Sequence, residues 1–405
     1  MSEERLIFHV DVNSAFLSWE AVERLKHPER SPECSVDLRT IPAAVGGDQS
    51  KRRGIILAKS IPAKKYGVQT GEPITDALKK CPTLMIVPSS HSLYQQYSRA
   101  FLALLEHYSD RIEPCSIDEC FIDMTGTERL FGPPVEAATR IKNEIYHKLG
   151  FTVNIGISTN KLLAKMASDF RKPNQVHTLF PDEIQDKMWR LPVRDLFFVG
   201  KSTEKTLHTL GIHTIGELAR MDLQVLKGTL KKQGEAIWRF ANGEGVSIVD
   251  PNPTDNKSYG NATTIAFDVI DESTACMVLM ALAETVGRRL RSDGVRAKVV
   301  TVTIKYSDLS KVSHQCEGVH DTNSTNELYE IARRLFVELW DGRPIRLLGI
   351  QTSHISSINT PRQMSLFDSD CYEKYEKLDK AMDSIREKYG WDAIKRASFL
   401  ENPPL

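Results

Sequence analysis

The sequence predicts an α+β protein of several domains, and three features carry that prediction. Short apolar runs alternate with amphipathic stretches over the first 175 residues, which implies a mixed sheet with helices packed against it. Residues 176–240 then turn helical and short-looped. After a stretch rich in Gly, Pro, Asn and Asp, the order becomes strand–helix–strand–strand–helix–strand, the split βαβ pattern. A chain of 405 residues, 41% hydrophobic and 26% charged, is long enough for more than one core.

The elements follow in order. Leu6 to Val12 is an apolar strand carrying one acid, Asp11. Asn13-Ser14 supplies a helix start, and Phe16, Leu17, Trp19, Val22 and Leu25 continue at helical spacing. Ile41–Val45 and Ile55–Ala58 read as two short strands around a basic, glycine-rich tip. Pro62–Val68 reads as a short helix stopped by Gly67. Leu84–Pro88 is a strand, and His91–Tyr108 is a helix with Leu93, Tyr97, Phe101, Leu104 and Leu105 on one face. Val135–Leu149 is a helix and Phe151–Ile157 a strand. Beyond the Gly/Pro-rich stretch come strand 263–267, helix 274–291, strands 298–306 and 311–315, helix 326–339 and strand 347–353.

Chemistry concentrates in Cys115 to Asp123, where Asp118 and Glu119 stand side by side in an otherwise apolar, strand-like run. A buried carboxylate needs a partner or takes up a proton. A divalent cation is one partner, since hard cations prefer oxygen ligands. A surface hairpin with a polar tip is the alternative. Asp11 bears on that choice, because it ends a strand just before a helix. An acid there and an acid pair on a hairpin can meet across adjacent strands. Three such carboxylates make a two-metal site, with ions roughly 3.5–4 Å apart, for phosphoryl or nucleotidyl transfer. Asp123, on the same hairpin, reads as a structural partner.

Composition bounds the rest. Formal net charge is zero, so overall charge points to no nucleic-acid partner. Seven cysteines without paired spacing favour a reducing compartment over a disulfide framework. No zinc-type spacing, signal-like N-terminus or membrane-length apolar run occurs, so the expectation is a cytoplasmic monomer away from membranes. Gly200-Lys201-Ser202-Thr203 ends like a Walker A loop, but Asp195 stands where its first glycine belongs.

Three motifs in this order resemble the Y-family translesion DNA polymerases of the bacterial polymerase IV and V type. They are Asp11 with Phe16, the Ser116-Ile117-Asp118-Glu119 hairpin, and Asn154-Ile155-Gly156-Ile157-Ser158 running through Asn160-Lys161-Leu162-Leu163-Ala164-Lys165 to Lys172-Pro173-Asn174. The resemblance implies a right-hand polymerase. Its parts would be palm (1–27 and 81–175), fingers (28–80), thumb with a helix-hairpin-helix (176–241), linker (242–258), little finger (259–355) and tail (356–405). It implies Asp11, Asp118, Glu119 and the Val12 carbonyl as ligands of two magnesium ions. Phe16 becomes a steric gate against ribose, and Ala15, Lys64 and Lys172 join it in nucleotide binding. Lys64 matches a usual arginine and Ile61 a usual phosphate-bonding tyrosine, so two contacts are softened. Leu57 would roof the nascent base pair.

DNA contacts are expected from the turn at Gly200, Lys201, Ser202 and Thr203, with Phe198 replacing the usual first glycine. A second set is Arg288, Arg289, Arg291, Arg296 and Lys298 of the little finger, either a phosphate-tracking face or a solvated helix end. Gln363, Leu366 and Phe367 (motif 363–367) resemble a bacterial sliding-clamp peptide. After them, 372–389 is a helix with Tyr375, Leu378, Met382 and Ile385 on one face, docked on the body or awaiting a partner. The implied function is low-fidelity, template-directed translesion synthesis without a proofreading exonuclease. Its partners would be primer-template DNA, deoxynucleoside triphosphates, the clamp and damage-response accessory proteins. A nucleotidyl cyclase on a palm-like sheet and a non-catalytic, clamp-associated DNA-binding protein are the alternatives.

Overall fold

The structure, a computed structural model, describes residues 5–30, 35–47, 54–252, 255–360 and 369–399. The chain divides into two compact units, with the boundary between residues 253 and 254.

The first unit is built on a five-stranded mixed sheet, order β5-β6-β1-β7-β8. Its strands are β1 (Ile7–Val12), β5 (Ile112–Pro114), β6 (Glu119–Asp123), β7 (Val153–Ser158) and β8 (Val176–Thr178). β1 is buried at all six positions, which suits a central strand. It pairs antiparallel with β6 on one side and β7 on the other. Helices α1 (Ala15–Lys26), α4 (His91–Leu105), α6 (Pro134–Leu149) and α7 (Lys161–Asp169) accompany the sheet. Phe8, Val10, Trp19, Phe101, Ile122, Ile141, Phe151 and Val153 belong to one core. A small sheet, order β3-β2-β4, joins β2 (Ala43–Gly46), β3 (Ile56–Lys59) and β4 (Met85–Pro88), with α2 (Ile61–Lys65) and α3 (Ile74–Lys80) beside it. β4 pairs parallel to β2, so this sheet extends past residue 80, where the sequence alone placed the end of the fingers. A short α5 (Glu128–Phe131) precedes α6.

Four helices complete the unit: α8 (Lys201–Thr209), α9 (Ile215–Arg220), α10 (Leu223–Leu230) and α11 (Lys232–Ala241). They share a core of Leu207, Ile215, Leu218, Leu226 and Ile237. The stretch expected as a linker begins as a strap on this unit. The Val246 carbonyl accepts from the Lys161 amide at 2.9 Å, the Asp250 amide donates to Glu113 at 2.8 Å, and Val249 packs with Ile7 and Ala164.

The second unit is a four-stranded sheet, order β11-β10-β12-β9, with every neighbour antiparallel. It comprises β9 (Ser258–Val269), α12 (Glu272–Ser292), β10 (Val295–Tyr306), β11 (Lys311–Thr322), α13 (Thr325–Leu339) and β12 (Ile345–Ser357). β12 lies between β9 and β10, and β10 lies between β11 and β12, giving two split βαβ units as the sequence predicts. The tail helix α14 (Ser369–Tyr389) docks on this unit through a charged stripe. Asp379, Met382 and Arg386 are buried, whereas Leu378 and Ile385 stay exposed. Buried Glu284 of α12 pairs with Arg386 at 3.2 Å and Arg396 at 2.7 Å.

Gly156 fixes how closely α7 approaches β7. A Cβ there would lie 1.9 Å from the Ala164 carbonyl oxygen and 2.4 Å from the Ser168 amide nitrogen. Backbone on both sides cannot yield cheaply. Gly156→Ala is therefore expected to destabilise the protein by about 3 kcal/mol, read by urea unfolding. An unchanged midpoint would show that the helix shifts freely.

Candidate active site

Strand register assembles the acids. Asp11 pairs directly with Glu119 across β1 and β6, and the Val12 amide donates to the Asp118 carbonyl at 3.0 Å. The three carboxylates that the sequence nominated thus sit at one end of two adjacent strands. Asp123 sits at the other end of β6, where it accepts from Arg5 at 2.9 Å and from the Thr125 amide at 3.0 Å. Its role is structural, as expected.

Each acid has a partner. Lys165, from α7, donates to Glu119 at 2.5 Å. Lys172 pairs with Asp11 and, at 2.8 Å, with Asp169. Ser116 donates its hydroxyl to Asp118 at 2.5 Å. Buried His9 places Nε2 3.4 Å from Glu119 and Nδ1 2.8 Å from the Ser168 hydroxyl. That hydroxyl also lies 2.8 Å from the Lys165 carbonyl. Contact with His9, joined by Lys165, holds the Glu119 carboxyl down to about 2 against the effect of burial. Burial, followed by the charges of Asp11 and Glu119, raises the Asp118 pKa. Burial opposes charge on Lys172, but the carboxylates of Asp11 and Asp169 outweigh it and raise its pKa. Burial holds the His9 pKa below its usual value.

Among the described residues no three His, Cys, Asp or Glu side chains form a ready metal cage. The ammonium groups of Lys165 and Lys172 take up oxygens of Glu119 and Asp11 instead. The donor set still fits a hard divalent cation. It offers only carboxylate oxygens at this point, and the mutual repulsion that raises Asp118 is what such an ion relieves.

The acids open into a cleft of about 740 Å³, lined by Asp11, Val12, Ala15, Phe16, Leu57, Lys59, Ile61, Lys64, Asp118 and Lys172 among others. Phe16 is half-buried and stacks on Tyr94, with ring centroids 4.4 Å apart and planes 9° off parallel. Ser14 takes a left-handed φ of 46° at the start of α1, without a side-chain cap. An asparagine network then draws Lys172 to the acids. Asn13 Nδ2 donates to Asn154 Oδ1 at 3.1 Å, the Asn174 amide donates to Asn13 Oδ1 at 2.9 Å, and Asn154 Nδ2 donates to the Arg171 carbonyl at 2.7 Å.

The sequence reading missed His9, Lys165 and this network. Lys165 stood inside a quoted motif, four residues after Lys161, but helical spacing alone does not reveal its partner on another strand.

The expected DNA-contact residues fare unevenly. Gly200 caps α8, and Lys201 and Ser202 are exposed at its start. Phe198 adopts φ 71°, the left-handed backbone that glycine favours, so the turn keeps its shape without glycine. Thr203 is buried and accepts from Gln233 at 3.0 Å, so its side chain belongs to packing. Arg291 requires correction. It pairs with Asp383 at 2.6 Å and Asp379 at 3.2 Å and donates to the Asn323 carbonyl, which places it against the tail helix. Arg288 lies over the Trp391 ring, Arg289 donates to the Gly260 carbonyl, Arg296 to the Ile358 carbonyl, and Lys298 pairs with Glu317 at 2.6 Å. The clamp-like residues Gln363, Leu366 and Phe367 lie outside the described residues.

A mixed sheet with acids on its adjacent strands, together with a split βαβ unit, is the arrangement expected of a right-hand polymerase. The sequence profile of the impB/mucB/samB family matches residues 10–169, that of its C-terminal domain residues 256–366, and that of the IMS family HHH motif residues 181–212. The chain is 45% identical to a DNA polymerase IV of Clostridium acetobutylicum, over 98% of both chains. It is 39% identical to a DNA polymerase IV of Alkaliphilus oremlandii, over 98% of this chain and 99% of that one. It is 36% identical to a DNA polymerase IV 2 of Bacillus subtilis, over 99% and 96%. Among solved structures, a Y-family DNA polymerase chimera, Dbh-Dpo4(243-245)-Dbh, shares the fold with a TM-score of 0.72 at 24% identity, over 86% of this chain and 99% of that one. The chain belongs to the impB/mucB/samB family, the Y-family of translesion DNA polymerases.

Lys165 is set to compete with any cation for Glu119. Lys165→Met is expected to lower stability by about 1–3 kcal/mol without metal and to enlarge the rise in Tm that magnesium produces. Equal magnesium stabilisation in wild type and mutant, by thermal unfolding, would show that Lys165 does not govern Glu119.

Proposed function

We propose that this cleft performs template-directed addition of deoxynucleotides, with Asp11, Asp118 and Glu119 as the metal-binding carboxylates. The chain is a DNA-directed DNA polymerase of the translesion type, and its family lacks a proofreading exonuclease. The single observation that supports the site assignment is the register that sets Asp11 opposite Glu119 with Asp118 beside them.

In this reading Asp11, Asp118, Glu119 and the Val12 carbonyl would hold two magnesium ions. Such ions would supply a lowered pKa for the primer 3′-hydroxyl and charge stabilisation for the leaving pyrophosphate. The chain's own residues do the remaining work. Glu119 is kept ionised by its contacts with His9 and Lys165, so it is ready as a ligand at neutral pH. Lys172 stays protonated beside Asp11 and supplies a positive charge to the triphosphate. Ala15 and Phe16, in the first turn of α1, line the cleft, and the first-turn amides would serve there as further anion donors. Phe16, fixed by its stack on Tyr94, lies under the sugar and excludes a 2′-hydroxyl.

The domain assignment, from palm through fingers, thumb, linker and little finger to tail, belongs to the same proposal. So do DNA contacts by Gly200, Lys201, Ser202, Arg288, Arg289, Arg296 and Lys298. Clamp binding by residues 363–367 is supported by their sequence alone, as are accessory partners and a cytoplasmic, nucleoid-associated location. No helix among the described residues is long and apolar enough to cross a membrane.

Primer extension on undamaged and abasic templates with magnesium tests this reading. Wild type is expected to extend both, and Asp118→Ala to lose at least about 10³-fold in rate. Equal activity in Asp118→Ala would place the metal site elsewhere. Phe16→Ala is expected to keep extending with deoxynucleotides while admitting ribonucleotides. Unchanged sugar discrimination in that variant would remove Phe16 from the gate.

A further inference from the structure

The nucleotide cleft lacks two phosphate contacts usual to its resemblance, since Ile61 offers no hydroxyl and Lys64 no planar fork. β3 supplies another group. Along it, Ile56 and Ala58 are buried, while Leu57 and Lys59 alternate with them and line the cleft together with Phe16, Lys64 and Lys172. Lys59 Nζ has a neutral partner, the Thr70 hydroxyl at 3.2 Å. Neither Lys59 nor Lys64 forms an ion pair among the described residues. The nearby acid Glu72 is committed to Lys80 and to the Gln69 amide. Burial, and then repulsion from Lys64, lowers the Lys59 pKa. Two ammonium groups in the lining of one cleft, neither in an ion pair among the described residues, favour a polyanion.

Elimination sharpens the assignment. Ile61 lines the same wall but is apolar and 48% exposed. Ser60 has no free capacity, because its hydroxyl donates to the Ile41 carbonyl and accepts from the amides of Ala43 and Ala63. Between residues 59 and 64, the side-chain donors left without a charged partner are those of Lys59 and Lys64.

We propose that Lys59 binds the triphosphate of the incoming deoxynucleotide, replacing the contact that Ile61 cannot make. This rests on the polymerase reading of the cleft. Lys59 is a binding residue, so its loss acts on KM more than on kcat.

The test is single-nucleotide incorporation by the full chain, with dNTP titration, for wild type, Lys59→Met, Lys59→Arg, and Lys59→Met in an Ile61→Tyr background. Methionine keeps the apolar stem and removes the charge. Lys59→Met is expected to raise KM about tenfold or more, with kcat within about threefold. Lys59→Arg restores KM, and the Lys59→Met effect shrinks once Ile61→Tyr supplies a hydroxyl. Equilibrium binding with calcium is expected to weaken for dGTP and stay unchanged for dGMP, which lacks the outer phosphates. A wild type that extends primers while Lys59→Met keeps its KM overturns the proposal and leaves the polymerase reading standing. Equal weakening for dGTP and dGMP, or a lowered Tm that accounts for the loss, also overturns it in favour of a structural role. A wild type that extends no primer overturns both.

Discussion

Like-charge repulsion among Asp11, Asp118 and Glu119 is the constraint around which the first unit is arranged. Antiparallel pairing of β1 with β6 forces the acids together, since Asp11 and Glu119 are direct cross-strand neighbours. Such a pair destabilises a sheet unless cations answer it. The chain answers with Lys165 from α7 and Lys172 from the segment after it. Both positions depend on α7 lying close to the sheet, and that closeness depends on the missing side chain at Gly156. The asparagine network through Asn13 and Asn154 then pins the Lys172 segment to the end of β1.

One set of charges therefore serves two states. With Lys165 on Glu119 and Lys172 on Asp11, two of the three acids are paired with cations before any substrate arrives. Divalent ions on the carboxylates would compete with these ammonium groups and free them for a nearby anion. A nucleoside triphosphate is the anion that a polymerase cleft admits. Lys59 and Lys64 stand on another part of the cleft lining without carboxylate partners, so they need no release. The cleft thus combines held and unheld cations.

The second unit uses charge differently. Arg291, Glu284, Arg386 and Arg396 are largely buried, and each is paired, so the tail helix is held on α12 by ion pairs and on α13 by the Thr325 amide donating to Asp379. Buried pairs give little net stability but specify one arrangement, because a misplaced partner leaves a charge uncompensated. This explains why the helix buries Asp379 and Arg386 while Leu378 and Ile385 remain exposed. Of the apolar stripe read from sequence, Met382 is buried, whereas Leu378 and Ile385 stay exposed.

Local rules made much of this protein legible. Helical and strand periodicity placed most elements within a few residues, since 3.6- and 2-residue spacing are properties of the chain itself. The acid pair in an apolar run and Asp11 before a helix start announced the carboxylate cluster that strand register assembles. Which lysine faces which acid was decided only in three dimensions. Lys165 meets Glu119 across 46 residues and Lys172 meets Asp11 across 161. The inward turn of Arg291 and Thr203, the pairing of β4 with β2, and the place of Lys59 on the cleft wall were settled in the same way. Sequence determines what each residue can do. Tertiary packing determines which charges are paired and which are left facing a ligand, because pairing depends on distances that the chain's order does not contain.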